Sequence, residues 1–301
     1  MTKYELIVVG GGPAAITLAK MLGNKKKVAV IRPEDHSMIY CAMPYAIEGL
    51  IEKKKTLKKD ELVTDAGAEL IRDTVTKIDF DGKNVTLSNS TQLSYEKLVI
   101  ATGAEPFIPP VEGANLKGVT GFKTEKDLTD LQSTISAGLK KAVVVGAGAI
   151  GIELAQALKE AGLAVDLVDM STSILPNLVD SEMTEEMQAE IIRKGINLHL
   201  EAKVVSLDGI EWVEHVELDN GRKIHFDAKD ECSEAGAGTH DGIVIFAAGM
   251  KPVVDLVKDS PIELGRDGIV INDKMETSLP DVYAVGDCTQ FTSGITCGVA
   301  P

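Results

Sequence analysis

Two glycine-rich stretches and one cysteine carry most of the chemistry this chain could do. Gly10-Gly11-Gly12-Pro13-Ala14-Ala15 follows a short apolar run, Tyr4 to Val9. It precedes Ile16 to Leu22, where apolar residues recur at helical spacing. Glycine at 10 permits a tight turn with positive φ. Glycine at 12 lets a pyrophosphate approach the backbone, and a small Ala15 lets helix and strand pack closely. The anion would sit at a helix N-terminus, where free N–H groups and the macrodipole favour it. Standing alone, this pattern suits an ordinary strand–turn–helix equally well. It returns at Gly146-Ala147-Gly148-Ala149-Ile150-Gly151-Ile152-Glu153, with a strand from Ala142 to Val145 before it and a helix to Ala161 after it. The next strand, Val165 to Val168, ends in Asp169, 18 residues beyond Gly151. That is near the spacing at which a carboxylate binds the ribose 2′-hydroxyl of NAD. Met170-Ser171-Thr172 follows, with no arginine to receive a 2′-phosphate.

Cys41 lies in the loop Ser37-Met38-Ile39-Tyr40-Cys41-Ala42-Met43-Pro44-Tyr45. A helix starting after it could lower its thiol pKa. The competing reading is a buried structural cysteine. The second strand of the first unit, Val28 to Ile31, runs into Arg32-Pro33-Glu34-Asp35. An acid that binds the adenosine ribose usually stands at the Arg32 position. Glu34 or Asp35 could substitute, Arg32 could contact the adenine face, or the three could form a solvated strand end. Five lysines crowd Lys53 to Lys59, either as a solvated face or as an anion attractor near Cys41. Asp287 follows a strand and Gly286, where a carboxylate could hold cofactor hydroxyls or simply form a turn.

The elements that must position these groups alternate as in an α/β protein. Short strands at Ala68–Ile71, Thr74–Ile78, Val85–Leu87 and Leu98–Ala101 lead to a Gly-rich turn at Ala101-Thr102-Gly103 and an extended linker through Pro110. Thr124 can cap a helix from Glu125 to Ser136. A helix is expected from Asp180 to Arg193, a strand from Gly195 to Leu200, then short strands. A polar loop over Asp227 to Asp241 holds an exposed Cys232. Ile243 to Ala247 ends in a second exit turn at Ala248-Gly249. At 301 residues the chain suggests two domains. A net charge of −15 disfavours nucleic acid and anionic membranes, and no apolar run could span a bilayer. The N-terminus enters a strand directly, unlike a signal peptide. The four cysteines form no CxxC pair, which argues against a zinc ribbon or disulfide framework and suits a reducing cytoplasm.

The motifs together resemble the FAD-dependent pyridine nucleotide–disulfide oxidoreductases. In order they are GGGPAA at 10–15, ATGAEP at 101–106, GAGAIGIE at 146–153, AAGMKP at 247–252 and TSLPDVYAVGDC at 277–288. The resemblance implies an α/β fold of two Rossmann-like dinucleotide-binding domains, the NAD domain (112–250) inserted in an FAD domain (1–111 and 251–301). It implies FAD at Gly10, Gly12, Pro13, Ala14, Ala15, Arg32, Pro33, Ala101, Thr102, Gly103, Gly286 and Asp287. It implies NADH at Gly146, Gly148, Ile150, Gly151, Glu153, Asp169 and Gly249. Cys41-Ala-Met-Pro-Tyr45 looks like the branch with a single redox cysteine, since position 46 is alanine rather than a second cysteine. That branch includes coenzyme A disulfide reductases, NADH oxidases and peroxidases, and persulfide or polysulfide reductases. Cys41 is then the catalytic thiol, with Ser37 and Tyr45 at the substrate.

The expected activity is NADH-dependent reduction of a disulfide, coenzyme A persulfide or polysulfide, a small-molecule sulfur substrate. Alternatives are an NADH oxidase, a reductase of an iron–sulfur electron carrier, or a redox-sensing flavoprotein without turnover. Oxidase members often carry a histidine in the first Gly loop, where this chain has Gly12-Pro13-Ala14. Two features depart from the family: Arg32, and an end at Pro301, 14 residues past Asp287. The family continues into a dimerisation domain, so a homodimer is expected of the full-length form. This chain would then bind FAD more loosely and leave Cys41 open to water.

Overall fold

The computed structural model describes residues 2–226 and 241–291. The expected polar loop with Cys232, and Cys297, fall outside the described residues. The chain divides into two compact units. Met1–Ile39, Leu57–Glu105 and Lys251–Pro301 form the first, and Tyr40–Thr56 with Pro106–Met250 the second. One unit thus interrupts the other in sequence. The chain passes out through Ala104–Pro106 and back through Met250–Pro252, and these two short strands pair.

In the first unit β1 (Thr2–Val9) lies parallel to β2 (Val28–Arg32), which in turn pairs in parallel with β3 (Glu69–Arg72). A hairpin, β4 (Val75–Asp79) and β5 (Asn84–Leu87), leads antiparallel into β6 (Gln92–Ile100), which returns parallel to β1. The strand Val282–Ala284 comes back from the far end of the chain to pair in parallel with the last residues of β6. Helix α1 (Pro13–Leu22) covers one face. Alternation along β1 sorts its residues: Leu6 and Val8 pack with Ala15, Ile16 and Ala19 of α1, while Ile7 and Val9 join the core on the opposite face. Both faces are covered, which is why β1 and β2 read as near-continuous apolar runs. The sequence places only Leu98–Ala101 in a strand here. The extra length of β6 comes from Leu93 and Tyr95, buried against the hairpin.

The second unit repeats the plan. Helices α2 (Met43–Glu48) and α3 (Glu125–Ser136) precede β7 (Lys141–Val145), α4 (Ala149–Glu160) and β8 (Ala164–Val168). Then follow α5 (Glu185–Arg193), β9 (Asn197–His199), a meander of β10 (Val204–Asp208), β11 (His215–Leu218) and β12 (Lys223–His225), and β13 (Gly242–Phe246). The parallel sheet runs Val119–Thr120, β13, β7, β8, β9. The apolar side of the meander, including Leu207, Val216 and Ile224, packs with Val143, Val168 and Val244.

Thr124 caps α3 as the sequence anticipates, in a full capping box. Its Oγ1 accepts from the Asp127 N–H at 3.0 Å, and Asp127 accepts from the Thr124 N–H at 2.7 Å. The expected helix over Asp180–Arg193 opens instead as a 3-10 turn, Ser181–Thr184, before α5. Residues 40–56, grouped with the first domain by sequence, cluster with the second unit. Met43, Pro44, Ala46 and Ile47 are buried, α2 packs on α3 and α4, and Gln132 of α3 donates to the Ala46 carbonyl at 2.9 Å.

Candidate functional site

The first Gly loop is shaped by its neighbours in the sheet. Gly10 has φ +120 and donates its N–H to the Ile31 carbonyl at 2.8 Å. A side chain there would strike the Ala101 carbonyl oxygen. Gly12 is the N-cap of α1, with ordinary φ (−74°), no side-chain cap, and no atom within 4 Å of where a Cβ would stand. The first amide to close a helical bond is Ile16, onto the Gly12 carbonyl. The amides of Ala14 and Ala15 therefore have no helical acceptor, and the space over Gly12 is open to one. Val253 ties down the turn at 101–103: Thr102 Oγ1 donates to its carbonyl at 2.6 Å, and its N–H donates to the Gly103 carbonyl at 2.9 Å. Gly286 (φ +83) stands against Ala14, so the exposed Asp287 is presented beside the start of α1. The structure thus brings together Gly10, Gly12, Pro13, Ala14, Ala15, Ala101, Gly103 and Gly286 from three distant stretches of chain. An open cradle of unpaired amides suits the pyrophosphate of a dinucleotide.

Arg32 is not a solvated strand end. It is 2% exposed and lies across Gly11, whose Cβ would come within 2.9 Å of the Arg32 Cβ and nearer still to its Cδ. Its Nη2 donates to Asp60 and, at 3.2 Å, to the Asp35 carbonyl. Its Nε has no partner among the described residues. Glu34 and Asp35 are exposed, as is Pro33. The carboxylate that Arg32 pairs with is Asp60. It was not legible as a site residue, because 28 positions and an intervening loop separate it from Arg32. Its one sequence signal is an acid closing the lysine run just before a helical turn, Glu61–Thr64.

The second loop repeats the first. Gly146 has φ +113 and donates to the Val168 carbonyl at 2.8 Å, and its missing Cβ would meet the Ala247 carbonyl. Gly148, the N-cap of α4, is as open as Gly12, while Gly151 is pressed onto the Gly146 carbonyl. Asp169 holds the loop from the end of β8. One oxygen accepts from the Ala147 N–H at 2.6 Å and the other from the Ser171 N–H at 2.8 Å. Ile150 and Glu153 are exposed on the first turns of α4, and Gly249 takes φ +112 in the exit turn.

Cys41 is exposed, on a 3-10 turn (Tyr40–Ala42) that runs directly into α2. It is not the buried structural cysteine that composition alone would favour. Tyr40 and Tyr45 beside it are 40% and 49% exposed, and Lys123 stands over the Tyr40 ring at 5.0 Å. Ser37 is buried in the first unit with its hydroxyl unpartnered. Cys288 contrasts with Cys41: it is fully buried, its Sγ faces the Val285 carbonyl at 3.4 Å, and burial pushes its thiol pKa up. The lysine run is partly spent. Lys53 pairs with Glu125 at 2.9 Å and Thr129 at 2.7 Å, and Lys54 with Glu52 at 2.5 Å. Among the described residues no helix is long and apolar enough to cross a membrane.

Known proteins match along this whole arrangement. An NADH oxidase of Methanocaldococcus jannaschii is 35% identical over 96% of the chain and 64% of its own length. The assimilatory nitrate reductase electron transfer subunit of Bacillus subtilis is 30% identical over 100% of the chain and 38% of its own length. Among solved structures, an NAD-dependent persulfide reductase from A. fulgidus superposes with a TM-score of 0.83 at 27% identity, over 94% of this chain and 53% of that one. The chain spans less than two thirds of the length of each of these. The pyridine nucleotide-disulphide oxidoreductase family model matches residues 4–298. With two open Gly loops in two parallel-sheet units, this chain belongs to that family of flavoproteins, whose cofactors are FAD and NAD(P)H.

Proposed function

We propose that this chain is an NADH-dependent reductase of a sulfur substrate, with Cys41 as its one redox-active thiol. FAD, when bound, supplies the exchange of an electron pair between the nicotinamide and sulfur. The loop at Gly10–Ala15 and the turn at Ala101–Gly103 would hold its pyrophosphate, with Gly286 and Asp287 beside them. The Gly146–Gly151 loop would hold the NADH pyrophosphate, and Asp169 its adenosine ribose. Cys41, as thiolate, attacks a disulfide, coenzyme A persulfide or polysulfide. One S–S bond breaks: a disulfide releases a thiolate and coenzyme A persulfide releases hydrosulfide, each leaving a mixed disulfide on Cys41, while polysulfide releases a shorter polysulfide and leaves a persulfide. Two electrons from NADH then return it to the thiol. Ser37 and Tyr45 are assigned to the substrate.

The observation that carries this reading is the placement of Cys41. It is the exposed thiol among the described cysteines, on a turn leading into α2, which packs on the α4 helix that opens at Gly148. A Cys41→Ser variant assayed with polysulfide and with ferredoxin tests it. Loss of NADH-dependent sulfide release, with ferredoxin reduction absent in both forms, supports the reading. Full activity of the variant would overturn it. A second reading, delivery of single electrons to an iron–sulfur partner with Cys41 idle, draws on the electron-transfer name of the Bacillus subtilis relative. Ferredoxin reduction unchanged by Cys41→Ser would select it. An anaerobic NADH titration adds a direct sign, since a thiolate beside oxidised flavin gives a long-wavelength absorption band.

A further inference from the structure

Asp60 opens the helical turn Glu61–Thr64 as its N-cap, and aspartate is among the best residues for that position. Yet its side chain caps nothing. Both carboxylate oxygens are taken by guanidinium groups instead, one by Arg32 Nη2 and the other by Arg72 Nη2. Arg32 and Arg72 are cross-strand partners in β2 and β3, two like charges that would repel without an anion between them. Arg72 also donates to the Asp35 carbonyl at 2.5 Å and the Glu34 carbonyl at 3.2 Å, so the loop after β2 is held from both sides. Arg32 is left with little freedom: its stem lies over Gly11 and its Nη2 is fixed by Asp60.

One donor of Arg32 remains unsatisfied. Its Nε is buried and unpartnered, in a side chain 2% exposed. Nε is bonded to Cδ, the Arg32 atom nearest to the place of a Gly11 side chain, so it sits at the edge of the Gly10–Gly12 cradle. A buried N–H without an acceptor is unfavourable, and native structures seldom leave one. An acid at this position would accept from ribose hydroxyls, whereas arginine can only donate. An oxygen of a bound ligand would supply the acceptor that this donor lacks.

We propose that Asp60 is a positioning residue for cofactor binding: by holding Arg32 and Arg72 it aims the Arg32 Nε–H at an acceptor oxygen on the adenosine diphosphate half of FAD. The ribose and the pyrophosphate both offer such an oxygen. The inference rests on the reading that the Gly10–Ala15 loop holds FAD.

The test compares Asp60→Asn, Asp60→Glu and Arg32→Lys with the unaltered chain. Dissociation constants for FAD, FMN, ADP and adenosine are measured on the deflavinated full chain, together with its melting temperature. Loss of one hydrogen bond from a charged donor should weaken FAD and ADP about tenfold in Asp60→Asn and in Arg32→Lys. FMN, which lacks the adenosine half, should bind equally well to all forms, and Asp60→Glu should recover part of the loss. Adenosine weakened along with ADP places the acceptor on the ribose, and adenosine unaffected places it on the pyrophosphate. Equal losses for FAD and FMN with a lowered melting temperature would make Asp60 merely structural and overturn the proposal, as would unchanged FAD and ADP affinity in both variants. A Gly12→Ala chain guards the underlying reading. If it kept full FAD affinity, the loop would not be the FAD site, and the proposal would fall with it.

Discussion

At the residue scale, two side chains would set what the proposed sites select. Asp169 has both oxygens engaged by loop amides, so a negative charge is fixed where the adenosine ribose of a dinucleotide would lie. A 2′-phosphate brought to that partly buried carboxylate is disfavoured by about 1–3 kcal/mol. We expect kcat/KM for NADH to exceed that for NADPH by roughly 5- to 150-fold, which is what that energy corresponds to. Equal values would remove Asp169 as the discriminator. The two described cysteines differ as sharply. Limiting alkylation of the reduced protein, followed by peptide mass spectrometry, should mark Cys41 and leave Cys288 unmodified, since burial both shields Cys288 and disfavours its thiolate. Labelling of Cys288 ahead of Cys41 would contradict this.

At the scale of elements, the Gly loops separate what folding needs from what binding needs. Gly10 has a positive φ and would collide with Ala101, so Gly10→Ala should destabilise the fold itself, by about 2 kcal/mol or more. Gly12 has neither constraint, with an ordinary φ and free space. Gly12→Ala should leave the melting temperature of the cofactor-free chain within about a degree and still weaken FAD, because the methyl would fill the space a phosphate needs. Gly148→Ala should raise the NADH KM in the same way. A different element constraint lies in β8. Asp166, nearly buried, is 2.6 Å from His199 Nε2 on β9 and 3.1 Å from Lys141 Nζ on β7. Burial alone would raise its pKa, but the His199 hydrogen bond and the Lys141 charge outweigh it and hold the carboxyl below the usual range. Its stabilising contribution is therefore complete above about pH 4, the ordinary carboxylate value, and fades as pH falls through the lower folded value. Asp166→Asn should cost about 3 kcal/mol at neutral pH, where it strands the buried His199 and the partly buried Lys141, and less in acid. Urea unfolding at neutral pH and at about pH 3 measures both. A pH-independent loss would mean that the charge is not what holds the three strands.

For the whole molecule, charge is the dominant long-range quantity. A net −15 would repel the proposed anionic sulfur substrate, and two of the five lysines close to Cys41 in sequence are already paired with acids. Screening acts over about 10 Å at 0.1 M salt, so added salt weakens the distant negative charge. The KM for polysulfide should fall as potassium chloride rises from about 0.02 to 0.3 M, and replacing Lys55, Lys58 and Lys59 by Gln should change that slope little. A KM that rises with salt, and flattens in the triple variant, would restore the lysine run as an anion attractor.

Sequence alone determined what local backbone geometry dictates. The glycines at 10 and 146 are readable because each turn needs a positive φ, and the repeat of strand, loop and helix makes the reading specific. The Thr124 cap and the bounds of α3 are legible for the same reason, since partners three residues apart are visible in the text. Tertiary structure decided whatever depends on residues that meet across the sheet. Sequence marks Arg32 as a departure but hides its partners, Asp60 and Arg72, which come from other elements, and only burial against Gly11 makes its spare donor significant. The exposure of Cys41 was equally undecided, since a lone cysteine is by composition a core residue. The buried apolar face of α2, packed on α3 and α4, draws residues 40–56 into the second unit and leaves the preceding turn, with its sulfur, at the surface.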